Sequence, residues 1–65
     1  MTLVIDKMLR RPAVEELTAL SRSTIYELLR TNRFPHPVRL GPRAVGWRHS
    51  DIVAWLSARP IVRYR

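Results

Sequence analysis

The stretch "LTALSRSTIYELLR", residues 17–30, closes one apolar-periodic run, turns, and opens another. Ser21 stands where a helix cap is needed, its side-chain oxygen able to accept from a backbone N–H that the first turn leaves unpaired. Behind it, Ile25, Leu28 and Leu29 fall within an arc of roughly 100° at helical spacing, which makes one core-facing stripe. Ser23, Tyr26, Glu27 and Arg30 lie opposite, with Arg22 and Arg33 on the flank. Arg22, Tyr26 and Arg30 follow one another at i+4, so their tips form a ridge. Such a ridge is either a solvated face stitched by a Glu27–Arg30 pair or a reading surface, and the segments on each side of it decide between the two.

Ahead of the turn, Arg11-Pro12 reads as a helix start, with proline at the first helical position and Glu15 and Glu16 close to the positive end of the helix dipole. This first helix spans Pro12 to Thr18, with Ala13, Val14 and Leu17 as its buried side, and Ala19-Leu20 turns the chain into a second helix that runs to about Asn32. In "RFPHPVRLG", residues 33–41, two prolines forbid helix and push the residue before each toward extended geometry. Val38–Leu40 and Ala44–Arg48 read as two strands joined by the turn-forming "GPR". Ser50 is placed to cap a third helix with Asp51 in its first turn, and Ile52, Trp55 and Leu56 at i, i+3 and i+4 make its apolar stripe. Pro60 ends it. Residues 1–7 read as a loose arm or short edge strand, and 60–65 as a basic tail or one further strand. The order helix, turn, helix, two-stranded hairpin, helix describes a small, mostly helical α+β domain over residues 1–65: a winged helix-turn-helix.

Bulk properties narrow the partner. One lysine and eleven arginines face five carboxylates, a formal +7 on 65 residues. Polyanions are the natural ligands of such a surface. Arginine's planar fork grips a phosphate or a guanine edge through two parallel hydrogen bonds, which an ammonium does not. With no cysteine, neither a disulfide framework nor a thiolate metal site holds the fold, and packing must. The longest unbroken apolar run, Ile52 to Leu56, like the shorter Leu3 to Ile5, is far short of a spanning helix or a secretion signal, and no helix sets its arginines against a large apolar face. The expectation is a soluble cytoplasmic protein that does not engage membranes.

In a helix-turn-helix the second helix enters the major groove with its first turn nearest the base edges. Arg22, Ser23, Thr24 and Tyr26 occupy that end: arginine suits guanine, the hydroxyls suit phosphate oxygens or bases, and tyrosine suits a phosphate or a thymine methyl. Glu27 suits a cytosine amino group or excludes other bases by repulsion, and Arg30 extends the ridge. Arg43 at the hairpin turn and Arg39 and Arg48 on its strands would reach backbone or the adjacent minor groove. Trp47 and Trp55 are assigned to the core of a domain too small to spare them.

These residues resemble a known family. "LSRSTIYELLRTNRFPHPVRLGPRAVGWRHSDIVAWL", residues 20–56, with "MLRRPAVEELTA" ahead of it, is similar to the AlpA family of small phage and prophage regulators, related to excisionases with a MerR-like winged helix fold. The most specific parts are "SRSTIY", "RFPHPVRLG", and "AVGW" followed by a helix ending "AWL". The resemblance implies DNA binding through the second helix and wing, in excision of an integrated element or transcription of its integration genes. Carried over by position, Arg22, Ser23, Thr24 and Tyr26 would be groove contacts, Arg43 the wing contact and Trp47 core. One departure is Ala19, where the family often has glycine.

The function expected is therefore sequence-specific binding of double-stranded DNA by a protein of a mobile element, as an excisionase or a transcriptional regulator. An integrase or RNA polymerase would be the protein partner, and self-assembly on adjacent sites would compensate for a single reading helix. Two rivals come from other classes. One is an RNA-binding accessory protein, for which only Tyr26, Phe34 and Tyr64 offer stacking surfaces. The other is a protein-interaction module whose "TLVI", residues 2–5, adds as a strand to a partner. Catalysis is not expected: His49, Ser50 and Asp51 are consecutive, whereas a hydrolytic triad must converge through space. His36 and His49 lack the carboxylates or thiolates of a metal site, and two glycines make no phosphate loop, so no cofactor is expected.

Overall fold

The computed structural model describes residues 6–64. In chain order the elements are β1 (Met8–Leu9), α1 (Arg11–Thr18), α2 (Arg22–Arg30), β2 (Val38–Gly41), β3 (Ala44–Arg48) and α3 (His49–Ser57). The architecture is the expected α+β winged helix-turn-helix, with a three-stranded antiparallel sheet in place of a two-stranded wing. Strand β3 is central, pairing Met8 with Arg48 and Leu9 with Trp47 on one side, and Val38 with Gly46 and Arg39 with Val45 on the other. A short edge strand lies at Met8–Leu9, and of the arm or edge strand expected over residues 1–7 only residues 6–7 are among those described. The "TLVI" segment falls outside the described residues.

Each helix contributes one side chain with no exposure at all, Val14, Ile25 and Ile52, and Leu9, Phe34 and Trp47 complete the core. Leu20, Leu28, Leu29, Trp55 and Leu56 pack around it. The stripes read for α2 and α3 are therefore the inward ones. That of α1 is narrower than expected, because a helix of 8 residues over so thin a core buries only its central Val14. Ala13 is exposed and Leu17 is 42% exposed. Phe34, a candidate stacking surface for RNA, is 4% exposed and meets Trp47 and Trp55 edge-on at centroid separations of 6.3 and 4.8 Å. It is core.

The helix ends explain the turns. Ser21 caps α2 as read, its hydroxyl oxygen accepting from the Thr24 N–H at 3.2 Å. The helix stops at Arg30, short of Asn32, which takes the left-handed conformation (φ 57°). Around it the Arg33 N–H donates to the Leu28 carbonyl at 2.8 Å and the Asn32 N–H to that of Leu29 at 3.1 Å. That is a Schellman closure, with asparagine at the position that favours it. The turn from α1 to α2 also needs a left-handed residue, and there the chain places Ala19 (φ 61°, ψ 18°). With α1 beginning at Arg11, no carboxylate lies in its first turn, and Glu15 instead accepts from Arg11 Nε at 2.9 Å.

Ser50 does not cap α3. That helix begins one residue earlier, at His49, with Arg48 in the cap position and no side-chain bond there. The cap comes from far away in sequence: Asp6 accepts the Ser50 N–H at 3.2 Å and the Ser50 hydroxyl at 2.5 Å. The His49 N–H donates to the Lys7 carbonyl, so the segment ahead of β1 is bound to the start of α3.

Two predictions follow from these ends. Ala19→Gly removes the Cβ clash of a left-handed alanine and is expected to stabilise the fold by about 1 kcal/mol, read as a Tm rise of roughly 4–8 °C. An unchanged or lower Tm would mean that the turn is not strained. The hydrogen bonds from the Ser50 hydroxyl and N–H hold the Asp6 carboxyl below its ordinary value of 3.8. An acid depressed by folding adds stability that is fully present above its unfolded value and is lost as pH falls through the folded one. Asp6→Ala should thus melt earlier than wild type at neutral pH, with the gap narrowing as pH falls below the ordinary value of 3.8. A gap independent of pH would count against the cap.

Candidate nucleic-acid interface

The exposed side of α2 begins with Arg22, whose guanidinium carbon sits 5.6 Å from the centre of the Tyr26 ring. Ser23 is exposed beside it. The Thr24 hydroxyl shares a hydrogen bond with that of Ser21 at 2.9 Å, so it is engaged in the cap. Tyr26 is 48% exposed. Further along, Arg30 donates through Nε and a terminal nitrogen to the two carboxylate oxygens of Glu27, a bidentate surface pair. The ridge is thus divided: its first turn carries Arg22, Ser23 and Tyr26, and its last turn is internally neutralised.

The wing is built by β2, the turn at Pro42-Arg43, and β3. A bulge between Arg39 and Gly41 twists its tip. Arg39 is folded back to donate to the Pro42 carbonyl at 3.0 Å, which braces the turn. Arg43 stands exposed at the tip, without a side-chain hydrogen bond or ion pair among the described residues. Arg48 stands one residue on from Trp47, hence on the other face of β3, 3.7 Å from Asp51. The fold therefore separates Arg48 from the rest of the predicted set.

Alternation along β3 puts Val45 and Trp47 on one face, and Tyr26 of α2 stands across a gap from it. Between them, and against the start of α1, lies a cleft of about 310 Å³ lined by Arg10, Arg11, Pro12, Tyr26, Val45 and Trp47. Arg10 and Arg11 lie outside the contact set expected from the sequence, in which Arg11 serves only as part of a helix start; the available signal is two adjacent arginines ahead of a proline-started helix. A hydrogen bond from Arg11 holds the Tyr26 phenol below its ordinary value of 10.0, and the charges of Arg11 and Arg22 add to that effect. The same bond raises Arg11, with Glu15 contributing.

His49, Ser50 and Asp51 form no hydrolytic set, since the Ser50 hydroxyl donates to Asp6. No helix among the described residues is long and apolar enough to cross a membrane.

Comparison with known proteins adds to this geometry. The profile of the family described as "Prophage CP4-57 regulatory protein (AlpA)" matches residues 7–60, from the lysine before β1 to the proline after α3. The chain belongs to this family. Its members are regulatory proteins and not enzymes. An AlpA relative in Escherichia coli strain K12, described as a DNA-binding transcriptional activator, is 39% identical over 59 residues, covering 82% of this chain and 84% of that protein. An uncharacterised protein of Enterobacteria phage P4, ORF88, is 48% identical over 60 residues, covering 92% of this chain and 68% of that one. No solved structure gives a significant match.

Proposed function

We propose that this AlpA-family chain, as one domain, is a sequence-specific double-stranded DNA-binding regulator of a mobile element, with α2 in the major groove and the wing tip on the flanking backbone or minor groove. The carrying observation is the first turn of α2. It is capped by Ser21, follows a left-handed turn, and presents Arg22, Ser23 and Tyr26 with no carboxylate partner among the described residues. The +7 charge supplies sequence-independent attraction, and the activator named among the relatives is a DNA-binding protein.

The work of such a protein is binding and bending. As an excisionase it would occupy adjacent sites and shape the DNA for an integrase. As a transcriptional regulator it would recruit or block RNA polymerase at a promoter. Both roles place it in the bacterial cytoplasm on the nucleoid. Footprint position on the DNA flanking its gene separates them, attachment site for the first and integrase promoter for the second. The RNA-binding alternative is weakened by the burial of Phe34, which leaves Tyr26 and Tyr64 as its stacking surfaces.

With about five phosphate contacts, the log–log salt slope is near −4.5, a loss of roughly 500-fold between 50 and 200 mM salt. Arg22→Ala should cut the preference for the selected site over random duplex by about 1–3 kcal/mol, whereas Arg43→Ala should weaken both more evenly. Fluorescence anisotropy across salt concentrations measures all three quantities. A flat salt response would remove nucleic acid as the ligand, and equal losses for Arg22→Ala on both duplexes would demote Arg22 to a backbone contact.

A further inference from the structure

We propose that the cleft between α1, α2 and β3 seats a single backbone phosphate of the bound duplex, gripped by Arg10, Arg11 and the Tyr26 hydroxyl. This rests on the DNA-binding reading and adds to it a contact outside the reading helix and the wing tip.

The cleft's lining is divided in a way that fits such a guest. Arg10, Arg11 and the Tyr26 hydroxyl supply donors, Pro12, Val45 and Trp47 supply an apolar wall, and no carboxylate among the described residues lines it. Glu15 lies outside this lining and takes Arg11 through Nε at 2.9 Å, which orients the guanidinium while leaving its terminal nitrogens for other acceptors. Arg11 and Tyr26 line the same cleft, close enough that the guanidinium lowers the phenol below its ordinary value. An acceptor that takes bonds from a guanidinium fork and a hydroxyl together is a tetrahedral oxyanion, for which arginine's geometry is suited. At about 310 Å³ the cleft holds more than a phosphate alone, which favours a phosphodiester with its flanking sugars laid against Pro12 and Val45.

Position gives the contact its use. Tyr26 is one turn along α2 from Arg22, so a phosphate held at Tyr26 sets how deeply, and in what register, Arg22 meets the base edges. Phosphate contacts position a protein on DNA while base contacts specify.

The test uses the full chain and a duplex selected by the wild-type protein from a randomised pool. Arg11→Gln is expected to reduce the magnitude of the salt slope by about 0.9 and to weaken binding roughly tenfold. Tyr26→Phe, which removes only the hydroxyl, should weaken binding in the same direction with the helical circular dichroism unchanged. Methylphosphonate linkages introduced one at a time should reveal one position whose neutralisation weakens wild type but leaves Arg11→Gln almost unaffected. Equal penalties in both proteins at every linkage, or an unaltered salt slope in Arg11→Gln, would overturn the clamp while leaving DNA binding intact. Loss of salt-dependent binding to any duplex in wild type would overturn both. Inorganic phosphate that shifts the Tyr26 ring resonances in the absence of DNA, with no special linkage in the duplex, would assign the cleft to a free anion and overturn the proposal.

Discussion

Two indole N–H groups hold the chain where the reading helix gives way to the wing. Trp47 donates to the Pro35 carbonyl at 2.7 Å and Trp55 to the Arg33 carbonyl at 2.8 Å, with the Phe34 ring wedged between both tryptophans. The prolines at 35 and 37 deprive this segment of regular backbone pairing, so its carbonyls would otherwise need water or remain unmatched. Left without a partner, a buried polar group costs about 1–3 kcal/mol, and each edge-on aromatic pair adds about 0.5–1.5 kcal/mol beyond its buried area. The segment joins the Schellman end of α2 to β2, so these contacts tie the helix to the sheet. A second tie closes the other side, where Asp6 holds the first turn of α3 and residues 8–9 complete the sheet.

With so small a core, the division of labour among charged side chains is strict. Arg11, Arg30, Arg39 and Arg48 have partners within the chain, which brace the start of α1, the end of α2, the wing turn and the start of α3 respectively. Arg59 lies over the Trp55 ring at 4.2 Å and donates to the Trp55 carbonyl, covering the aromatic cluster at the end of α3. Such exposed pairs contribute little each to stability, but they settle where the guanidinium groups point. The proposed duplex contacts fall to Arg10, Arg22, Ser23, Tyr26 and Arg43, with Arg11 shared between Glu15 and the cleft. Lys7, Arg33 and Arg63 are likewise exposed and without a side-chain partner among the described residues, and add to the general positive field.

Much of this was legible in the residues. Ser21 as a cap, the inward stripes of α2 and α3, the hairpin and the core role of Trp47 follow from local patterns, because capping and periodicity act over a few residues. What was missed is tertiary. Asp6 and Ser50 are 44 residues apart, and a cap supplied over that distance leaves no local signature. Phe34 sits among prolines in a segment that reads as loop, and only the two tryptophans that converge on it make it core. Arg48 belongs to the wing by sequence but to the back of the sheet by strand alternation. Arg10 and Arg11 enter the candidate site only because Tyr26 and Val45 are carried to them by α2 and β3.

The central claim is that the first turn of α2 reads base edges from the major groove. Methylation interference on the selected duplex tests it directly, since a methyl at guanine N7 intrudes into the major groove and one at adenine N3 into the minor groove. The account predicts that methylation of one or more guanine N7 positions blocks binding of the wild-type protein and that Arg22→Ala no longer discriminates at those guanines. Interference confined to adenine N3, or a guanine pattern that Arg22→Ala leaves unchanged, would contradict it.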